Sequence, residues 1–379
     1  MIQRLAMASL LVAWLATPSL ASQDKHEDHW PDTSVYLDSW IPDDLSGRAT
    51  WPADFVVAHD GSGTHRSIQS AIDDLPAAGS GSQRKFVLIK DGVYRETVCA
   101  LDKAPFTLYA RGQAHAVTVV EGRYNAMPKP VGQAANRCFP ALHEPTYGTF
   151  GSASMNIFSD AVHLAGFTIH NDAMDSVRHG VGYPEGAGES GGAQAVALAL
   201  RGDRIQLSEM RLIGHQDTFF VDKTPAPLGR VHVTDSMIAG DVDFIFGGAR
   251  LVIDKSLIIS RAGRRTPGTG GHVLAPSTAA HEPYGFLVKR SSLLGQSGLA
   301  AGSIHLGRPW DAGVKRGTWV PMQSPNGQAL IRDSQLGEHL DGWGSSTSGR
   351  SPHATGAAAF RMHLFGNSRV QMTASNDLP

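Results

Sequence analysis

The chain has 379 residues, of which 41% are hydrophobic, 18% charged and 7% aromatic. This apolar content excludes a disordered chain, and the glycines follow no three-residue period, which excludes a collagen helix. The formal net charge of −2 provides no bulk attraction to nucleic acid or to acidic membranes. The two cysteines are too few for a disulfide-dense scaffold or a cysteine-rich zinc site.

Residues 1–21 contain the three parts of a secretory signal peptide. Arg4 supplies the positive charge, 10–16 is an apolar core too short to span a bilayer, and 19–21 reads Ser-Leu-Ala, a small-residue cleavage site. We therefore expect cleavage near Ala21 and export to the periplasm or the extracellular space. No later apolar run reaches the ~18 residues of a membrane span.

The mature chain begins with a polar stretch, and residues 22–51 are expected to form an N-terminal arm ahead of one domain over 52–379. Within that domain, the apolar residues of 64–75 follow the i, i+3, i+4, i+7 spacing of a short amphipathic helix. Thr64 is the expected N-cap and Pro76 the stop.

After this helix the sequence predicts many short strands and no helix of ten residues between them. Strands without crossover helices argue against a Rossmann fold or a TIM barrel, and leave a sandwich, a propeller or a parallel β-helix. The predicted strands include 86–89, 107–109, 117–120, 162–169, 195–200, 231–238, 251–259 and 286–288.

The spacing of similar sequence segments selects among these architectures. Apolar segments at 195–198, 218–221 and 242–246 recur about every 20 to 26 residues, which indicates a stacked repeat. A coil of three short strands and three turns needs about that length. We therefore predict an all-β parallel β-helix whose open N-terminal end is covered by the short helix.

One hydrolase motif occurs in the chain. Residues 188–192 read Gly-Glu-Ser-Gly-Gly and formally match the nucleophile elbow of serine hydrolases. That elbow requires a strand before the serine and a helix after it. A loop and a strand-like run flank this motif, so we interpret it as a loop.

A second group of polar residues falls at coil spacing. Gln194, Gln216 and Asp243 are separated by 22 and 27 positions, so one column of a coil stack can contain all three. Asp217 follows Gln216 at the edge of that column. Side-chain amides beside carboxylates can stabilise an oxyanion while an acid or a nucleophile acts.

Asp241 and Asp243 both lie in an apolar run, although aspartate is disfavoured in strands. Strand alternation predicts that the two share one face. Arg308 and Trp310 add a cation and an aromatic ring further along the chain. A β-solenoid with incidental polar side chains remains the alternative, but it explains the whole set less well than a site does.

These residues carry a resemblance to the pectin methylesterases, the pectinesterase family, and the chain is most similar to those of Gram-negative bacteria. The resemblance covers about residues 54–366 and implies a right-handed parallel β-helix that hydrolyses the C6 methyl esters of homogalacturonan. The matching stretches are, in family order, 92–96 (Gly-Val-Tyr-Arg-Glu), 148–152 (Gly-Thr-Phe-Gly-Ser), 194–198 (Gln-Ala-Val-Ala-Leu), 216–218 (Gln-Asp-Thr), 243–247 (Asp-Phe-Ile-Phe-Gly) and 306–310 (Leu-Gly-Arg-Pro-Trp).

The resemblance also implies roles for the matching residues. Asp243 resembles the nucleophile and Asp217 the general acid and base. Gln194 and Gln216 resemble the pair that stabilises the oxyanion, and Arg308 resembles the residue that orients the nucleophile. The mechanism needs no metal and no cofactor. The positions that match substrate contacts are Thr149, Phe220, Phe246 and Trp310.

The expected partner is methyl-esterified pectin, and the expected working unit is a monomer. Phe220 departs from the family, because it has no hydroxyl where relatives often carry tyrosine. A pectate lyase or a polygalacturonase on the same fold stays open, as does a non-catalytic solenoid that binds polysaccharide. Methanol release without chain cleavage separates the esterase from these alternatives.

Overall fold

The computed structural model describes residues 39–223 and 228–376. The predicted signal peptide lies outside the described residues, as does most of the predicted arm. The described strands form three parallel sheets wound around a common core, and each strand pairs with the corresponding strand of the next coil. This architecture confirms the predicted parallel β-helix.

The strands of each sheet lie in coil order. Sheet 1 contains β1 (Phe55–Val57), β2 (Lys85–Ile89), β5 (Phe106–Tyr109), β8 (Val162–Ala165), β11 (Ile205–Ser208), β14 (Arg230–Thr234), β17 (Arg250–Asp254), β20 (Phe286–Lys289), β23 (Gln328–Arg332) and β26 (Arg361–Phe365). Sheet 2 contains β4 (Val98–Leu101), β7 (Met155–Phe158), β10 (Leu198–Arg201), β13 (Phe219–Asp222), β16 (Val242–Gly247), β19 (His272–Pro276), β22 (Ile304–Gly307) and β25 (Leu340–Trp343). Sheet 3 contains β3 (Gly92–Arg95), β6 (Val117–Val120), β9 (Thr168–His170), β12 (Arg211–Ile213), β15 (Met237–Gly240), β18 (Leu257–Ser260), β21 (Ser292–Gln296), β24 (Gln335–Gly337) and β27 (Ser368–Val370). The short strand β28 (Thr373–Ala374) pairs with β21 outside this order.

The chain passes from sheet 1 to sheet 3 through a sharp corner in one residue. This residue has left-handed backbone geometry in coil after coil, with φ of 49° at Asp235, 48° at Lys255 and 49° at Arg290. The corner divides three runs that the sequence predicted as single strands, 162–169, 231–238 and 251–259. Those predictions were wrong because apolar composition continues through a turn that only the backbone reveals.

Serine follows the corner residue in consecutive coils. The backbone N–H of Ser236 donates to Oγ of Ser256, that of Ser256 to Oγ of Ser291, and that of Ser291 to Oγ of Ser334, at 3.1 to 3.2 Å. Each hydroxyl therefore satisfies a buried backbone donor of the neighbouring coil. This serine ladder stabilises the corner and maintains the register of the stack.

Helix α1 (Ile68–Asp73) covers the N-terminal end of the stack, next to β1 and β4. Its buried residues Ile68, Ala71 and Ile72 join the main core. The helix is shorter than predicted, because Ser67 and not Thr64 is the N-cap, accepting a hydrogen bond from the backbone N–H of Ser70. The Thr64 hydroxyl instead accepts from the backbone N–H of Val56 at 2.9 Å.

The other helical elements are short. Helix α2 (Gly148–Gly151) precedes β7, and 3₁₀ turns occur at Arg48–Thr50 and Gly356–Ala358. Within residues 39–223 and 228–376, no helix has the length and apolarity needed to cross a membrane.

The described end of the N-terminal arm packs on sheet 1. Arg48 is buried, donates to the backbone carbonyls of 110–112 and pairs with Glu209 at 2.6 Å. A buried arginine with this many acceptors fixes the chain that carries it. Residues 45–51 are thus part of the packed structure and not a free segment.

Cys99 and Cys138 form a disulfide. Cys99 lies on β4, whereas Cys138 lies in the long connection between β6 and α2. The disulfide fixes this connection against sheet 2, where both cysteines share an apolar cluster with Phe139 and Phe150. These are the only two cysteines of the chain, but their spacing alone does not show whether the thiols approach each other.

Candidate active site

A groove of about 710 Å³ runs along the outer face of sheet 2. Its lining brings together all the predicted site residues except Phe220. The predicted residues that line it are Thr149, Gln194, Gln216, Asp217, Asp243, Phe246, Arg308 and Trp310. They come from coils far apart in sequence, so the coil stack itself assembles the site.

Asp243 lies in the groove with both oxygens held by one guanidinium. Arg308 donates from Nε to Oδ1 at 2.9 Å and from Nη2 to Oδ2 at 2.5 Å. The two side chains are mostly buried, with 13% of Asp243 and 26% of Arg308 exposed. A two-pronged pair of this kind fixes the orientation of the carboxylate plane as well as its position.

Asp243 points into the groove because its backbone is left-handed, with φ of 48°. The register between β16 and β19 shifts between Val242 and Ile245, which marks a bulge. Bulges redirect side chains and often occur beside active sites. The simple alternation that the sequence suggested is therefore interrupted at this residue.

Asp217 is almost completely buried beside Asp243 and also has a left-handed backbone, with φ of 64°. Its backbone N–H donates to the carbonyl of Val242 at 3.0 Å, which ties the two coils together. Burial raises the pKa of Asp217 well above its ordinary value, and the charge of Asp243 raises it further. Asp217 is therefore suited to hold a proton that it can donate.

The two glutamines lie beside the carboxyl groups. Oε1 of Gln194 is buried and has no hydrogen-bond partner among the described residues. This oxygen can only accept a hydrogen bond, whereas the NH₂ of the same side chain is the group that can donate to an oxyanion. The backbone carbonyl of Gln216 accepts from Ala195, so backbone pairing sets the spacing of the two glutamines.

An aromatic row forms the floor of the groove. Ring centroids are separated by 4.6 Å between Phe150 and Phe220, 5.0 Å between Phe220 and Phe246, and 5.6 Å between Phe246 and Trp310. Phe220 was predicted to contact substrate, but only 1% of it is exposed. It supports the rings on either side of it and does not line the groove.

Asp241 does not share the groove with Asp243, so the alternation prediction was wrong. It is buried behind the groove, where Arg264 donates to both of its oxygens at 2.5 and 2.6 Å. These contacts lower its pKa despite the burial. The bulge in β16 separates the two aspartates onto different faces.

His215 links Asp241 to a second acid, the partly buried Asp175. Its Nδ1 lies 3.0 Å from Oδ2 of Asp241, and its Nε2 lies 3.1 Å from Oδ1 of Asp175. Both carboxyl groups have lowered pKa values, and the His215 ring lies within hydrogen-bonding distance of both. His215 lies two residues before Asp217, and Asp241 lies two residues before Asp243. This charged cluster therefore fixes the backbone that carries both groove aspartates.

Comparisons with known proteins agree with this geometry. The family model described as Pectinesterase matches residues 54–136 and 146–326. The chain belongs to the pectinesterase family. It is therefore a carboxylic ester hydrolase of the pectin methylesterase type, as the sequence predicted.

Individual relatives match over most of their length. A pectinesterase of Ralstonia solanacearum is 36% identical over 340 residues, covering 88% of this chain and 83% of that protein. The structure of the rice weevil pectin methyl esterase is 28% identical, with a TM-score of 0.74 over 88% of this chain and 92% of that one. A pectin methylesterase in complex with a hexasaccharide is 25% identical, with a TM-score of 0.67 over 86% of this chain and 92% of that one. The shared fold is the right-handed parallel β-helix.

Sequence reasoning missed a histidine in the groove of this pectinesterase. Nδ1 of His272 lies 3.7 Å from Oδ1 of Asp243, and the ring stacks on His305 with centroids 5.2 Å apart. Burial lowers the pKa of His272 to about 4, so the ring is neutral at neutral pH. A histidine at the start of β19 carries no motif, and only the strand register places it beside the nucleophile candidate.

The serine motif is a loop, as predicted. Gly188 and Gly191 close a tight turn through paired backbone hydrogen bonds, and no helix follows before β10. Glu189 of this loop pairs with Arg265 at 3.1 Å, and both residues line the groove. The loop thus forms one wall of the groove without supplying a serine elbow.

The opposite electrostatics of the two buried aspartates predict opposite mutant stabilities. The fold favours the neutral form of Asp217, so the wild type loses stability as pH rises above the ordinary aspartate value of 3.8 toward the raised pKa. Asparagine cannot ionise, so Asp217→Asn is expected to be about 1–3 kcal/mol more stable than the wild type at neutral pH. This gain shrinks toward zero near pH 4.

Asp241→Asn is the matched control for the same chemical change. The fold favours the ionised form of Asp241, so its stabilisation is present above the ordinary pKa and is lost as pH falls. Its replacement leaves Arg264 and His215 without their shared partner and is expected to destabilise the protein by about 3–5 kcal/mol at neutral pH. Urea unfolding between pH 4 and 8 measures both. A neutral-pH loss of stability in Asp217→Asn contradicts the assignment of Asp217.

Proposed function

We propose that this pectinesterase removes methyl groups from homogalacturonan by double displacement, with Asp243 as nucleophile and Asp217 as proton donor and acceptor. The observation that carries the proposal is the contrast between two neighbouring carboxyl groups. One is held by the two prongs of Arg308, and the other is buried with a raised pKa. Groups whose environments differ in this way divide acid and nucleophile roles.

In the first half-reaction, an oxygen of Asp243 attacks the C6 carbonyl carbon of a methyl galacturonate unit. The bond from this carbon to the methoxy oxygen breaks, and Asp217 gives its proton to the departing oxygen, releasing methanol. Asp243 and C6 are then joined as an acid anhydride. The amides of Gln194 and Gln216 donate to the developing oxyanion, where one such donor contributes ~3 kcal/mol.

In the second half-reaction, the now ionised Asp217 takes a proton from a water molecule. The water oxygen attacks C6, the anhydride bond breaks, and Asp243 leaves as a carboxylate. Ester and water have become acid and methanol, and both aspartates have returned to their starting states. Arg308 receives the carboxylate again through its two donors.

The groove fits a polymer better than a single sugar. Phe150, Phe246 and Trp310 line it, and aromatic faces pack against the apolar faces of sugar rings. The hexasaccharide bound by one solved relative supports a ligand of this length.

Replacement of the proposed nucleophile tests the mechanism. Asp243→Asn is nearly isosteric but cannot form the anhydride, so methanol release from highly methylated pectin is expected to fall about 10³-fold or more. Asp235→Asn is the matched control, because Asp235 has the same left-handed backbone, with φ of 49°, at a corner between sheets 1 and 3. Near-normal methanol release by Asp243→Asn, or wild-type cleavage of the polymer chain without methanol, contradicts the proposal.

We also propose that the protein is exported and loses residues 1–21. The arrangement of charge, apolar core and cleavage site in the sequence supports this, and the disulfide between Cys99 and Cys138 is typical of oxidising compartments. Protein recovered from the medium or periplasm is expected to begin at Ser22 and to show no free thiol when unfolded without reductant. An intracellular protein that keeps its first 21 residues and has titratable thiols would contradict export.

A further inference from the structure

His272 faces Asp243 from the first position of β19, and it lines the groove. Its Nδ1 lies 3.7 Å from Oδ1 of Asp243, and 17% of the histidine side chain and 13% of the aspartate side chain are exposed. This nitrogen is buried and has no hydrogen-bond partner among the described residues. Buried polar atoms are nearly always paired, so the oxygen of Asp243 is the partner available to it.

The charge of Asp243 selects one protonation form of the ring. Burial lowers the pKa of His272 to about 4, and the charge of Asp243 only partly opposes this effect. The other titratable groups that act on the ring also lower its pKa, and they are Arg308, His305 and Arg265. The ring is therefore neutral at neutral pH and carries a single N–H. A lone pair on Nδ1 would face a negative charge, so the proton is favoured on Nδ1.

Two neighbouring residues hold the ring in this place. It stacks on His305, with centroids 5.2 Å apart and an angle of 28° between the two planes. It also lies against Gly344, where a Cβ atom would come within 2.6 Å of Nε2 of His272. The backbone N–H of Gly344 donates to the carbonyl of Gly307 at 2.8 Å, directly before Arg308 in the chain. Any larger residue at 344 would therefore displace the ring from Asp243.

The two oxygens of Asp243 have different surroundings. Arg308 donates to Oδ1 from Nε at 2.9 Å and to Oδ2 from Nη2 at 2.5 Å, whereas the ring of His272 faces Oδ1. A carboxylate oxygen has two acceptor sites, so Oδ1 can accept from both side chains. Hydrogen bonds to a reacting group are often long in a resting site and shorten in the complex that reacts.

We propose that His272 is a positioning residue that donates from Nδ1 to Oδ1 of Asp243 while Oδ2 attacks C6. The inference rests on the function proposed above, because it takes Asp243 as the nucleophile. In the first half-reaction, the second donor on Oδ1 keeps the carboxylate plane aimed as its charge is lost to the new bond. In the second half-reaction, negative charge returns to Asp243 when the anhydride bond breaks, and the N–H of His272 stabilises it. No proton leaves His272 in either step.

Two substitutions at position 272 separate the donor from the ring. His272→Asn retains an N–H near the position of Nδ1 but loses the ring, whereas His272→Phe retains a ring but has no donor. Because only the phenylalanine removes a hydrogen bond to a charged group, kcat for methanol release is expected to fall about tenfold in His272→Phe and no more than about threefold in His272→Asn. KM is expected to stay nearly constant in both. Thermal unfolding shows whether each variant is folded.

His232 provides the matched control. It is also a histidine whose pKa burial lowers to about 4, but it lies on β14 of sheet 1, away from the groove. His232→Asn and His232→Phe are expected to leave kcat unchanged. The control thus separates the contact with Asp243 from a general effect of replacing a buried histidine.

Nitrogen-15 NMR of histidine-labelled protein tests the contact without turnover. The His272 signals are assigned by their loss in His272→Phe. A ring protonated on Nδ1 is expected at neutral pH, with a shift toward the form protonated on Nε2 in Asp243→Asn, since the amide carries no negative charge.

Two results overturn the inference. One is a kcat that falls in His272→Asn as much as in His272→Phe or more, or that is unchanged in both, which leaves the ring a packing element only. The other is a wild-type ring protonated on Nε2. Near-normal methanol release by Asp243→Asn contradicts the proposed nucleophile instead. That measurement is made with His272 intact, so a failure of the proposed function is distinguishable from a failure at His272.

Discussion

The site depends on two carboxyl groups that lie side by side but experience opposite environments. Asp243 is held by the two donors of Arg308, while Asp217 is buried with little compensation and its pKa rises. The charge of Asp243 raises the pKa of Asp217 in addition to the effect of burial, so the Asp217 carboxyl retains its proton. In the proposed mechanism, this proton is the one that Asp217 gives to the departing methoxy oxygen.

Maintaining this contrast requires rigid backbone at both aspartates. Each has left-handed geometry, which is unfavourable for residues other than glycine and persists only where the surroundings enforce it. The buried cluster of His215, Asp241 and Arg264 stabilises this geometry through its hydrogen bonds. It does so because His215 and Asp241 each lie two residues before one of the two aspartates. A buried ion cluster is weak evidence for stability in itself. The placement of this one indicates that it positions Asp217 and Asp243.

Much of this arrangement could be predicted from the sequence, because coil length is visible as a repeat. The spacing of Gln194, Gln216 and Asp243 predicted one column, and the three side chains line one groove. Strand ends were less predictable, since a corner such as Asp235 is a single residue in a continuous apolar run. The interpretation of Asp241 failed for a related reason, because alternation assumes regular strand geometry and the bulge in β16 breaks it.

Other features depend on contacts between distant residues and leave no local pattern. Arg201 looks like an ordinary strand-end arginine until rings from 139, 150, 158 and 220 surround it. His272 likewise acquires its environment from Asp243 and His305 on neighbouring strands. Whether Cys99 and Cys138 pair was equally open, because spacing alone does not show that two thiols approach each other.

The central claim is that Asp217 holds a proton while Asp243 stands charged beside it. Carbon-13 NMR of aspartate-labelled protein measures this directly, with the Asp217 signal assigned by its loss in Asp217→Asn. The account predicts that the Asp217 carboxyl titrates well above the ordinary aspartate value of 3.8, and that removal of the neighbouring charge in Asp243→Asn lowers its midpoint while burial keeps it raised. An Asp217 carboxyl that titrates at the ordinary value, or whose midpoint is unmoved by Asp243→Asn, would contradict the account.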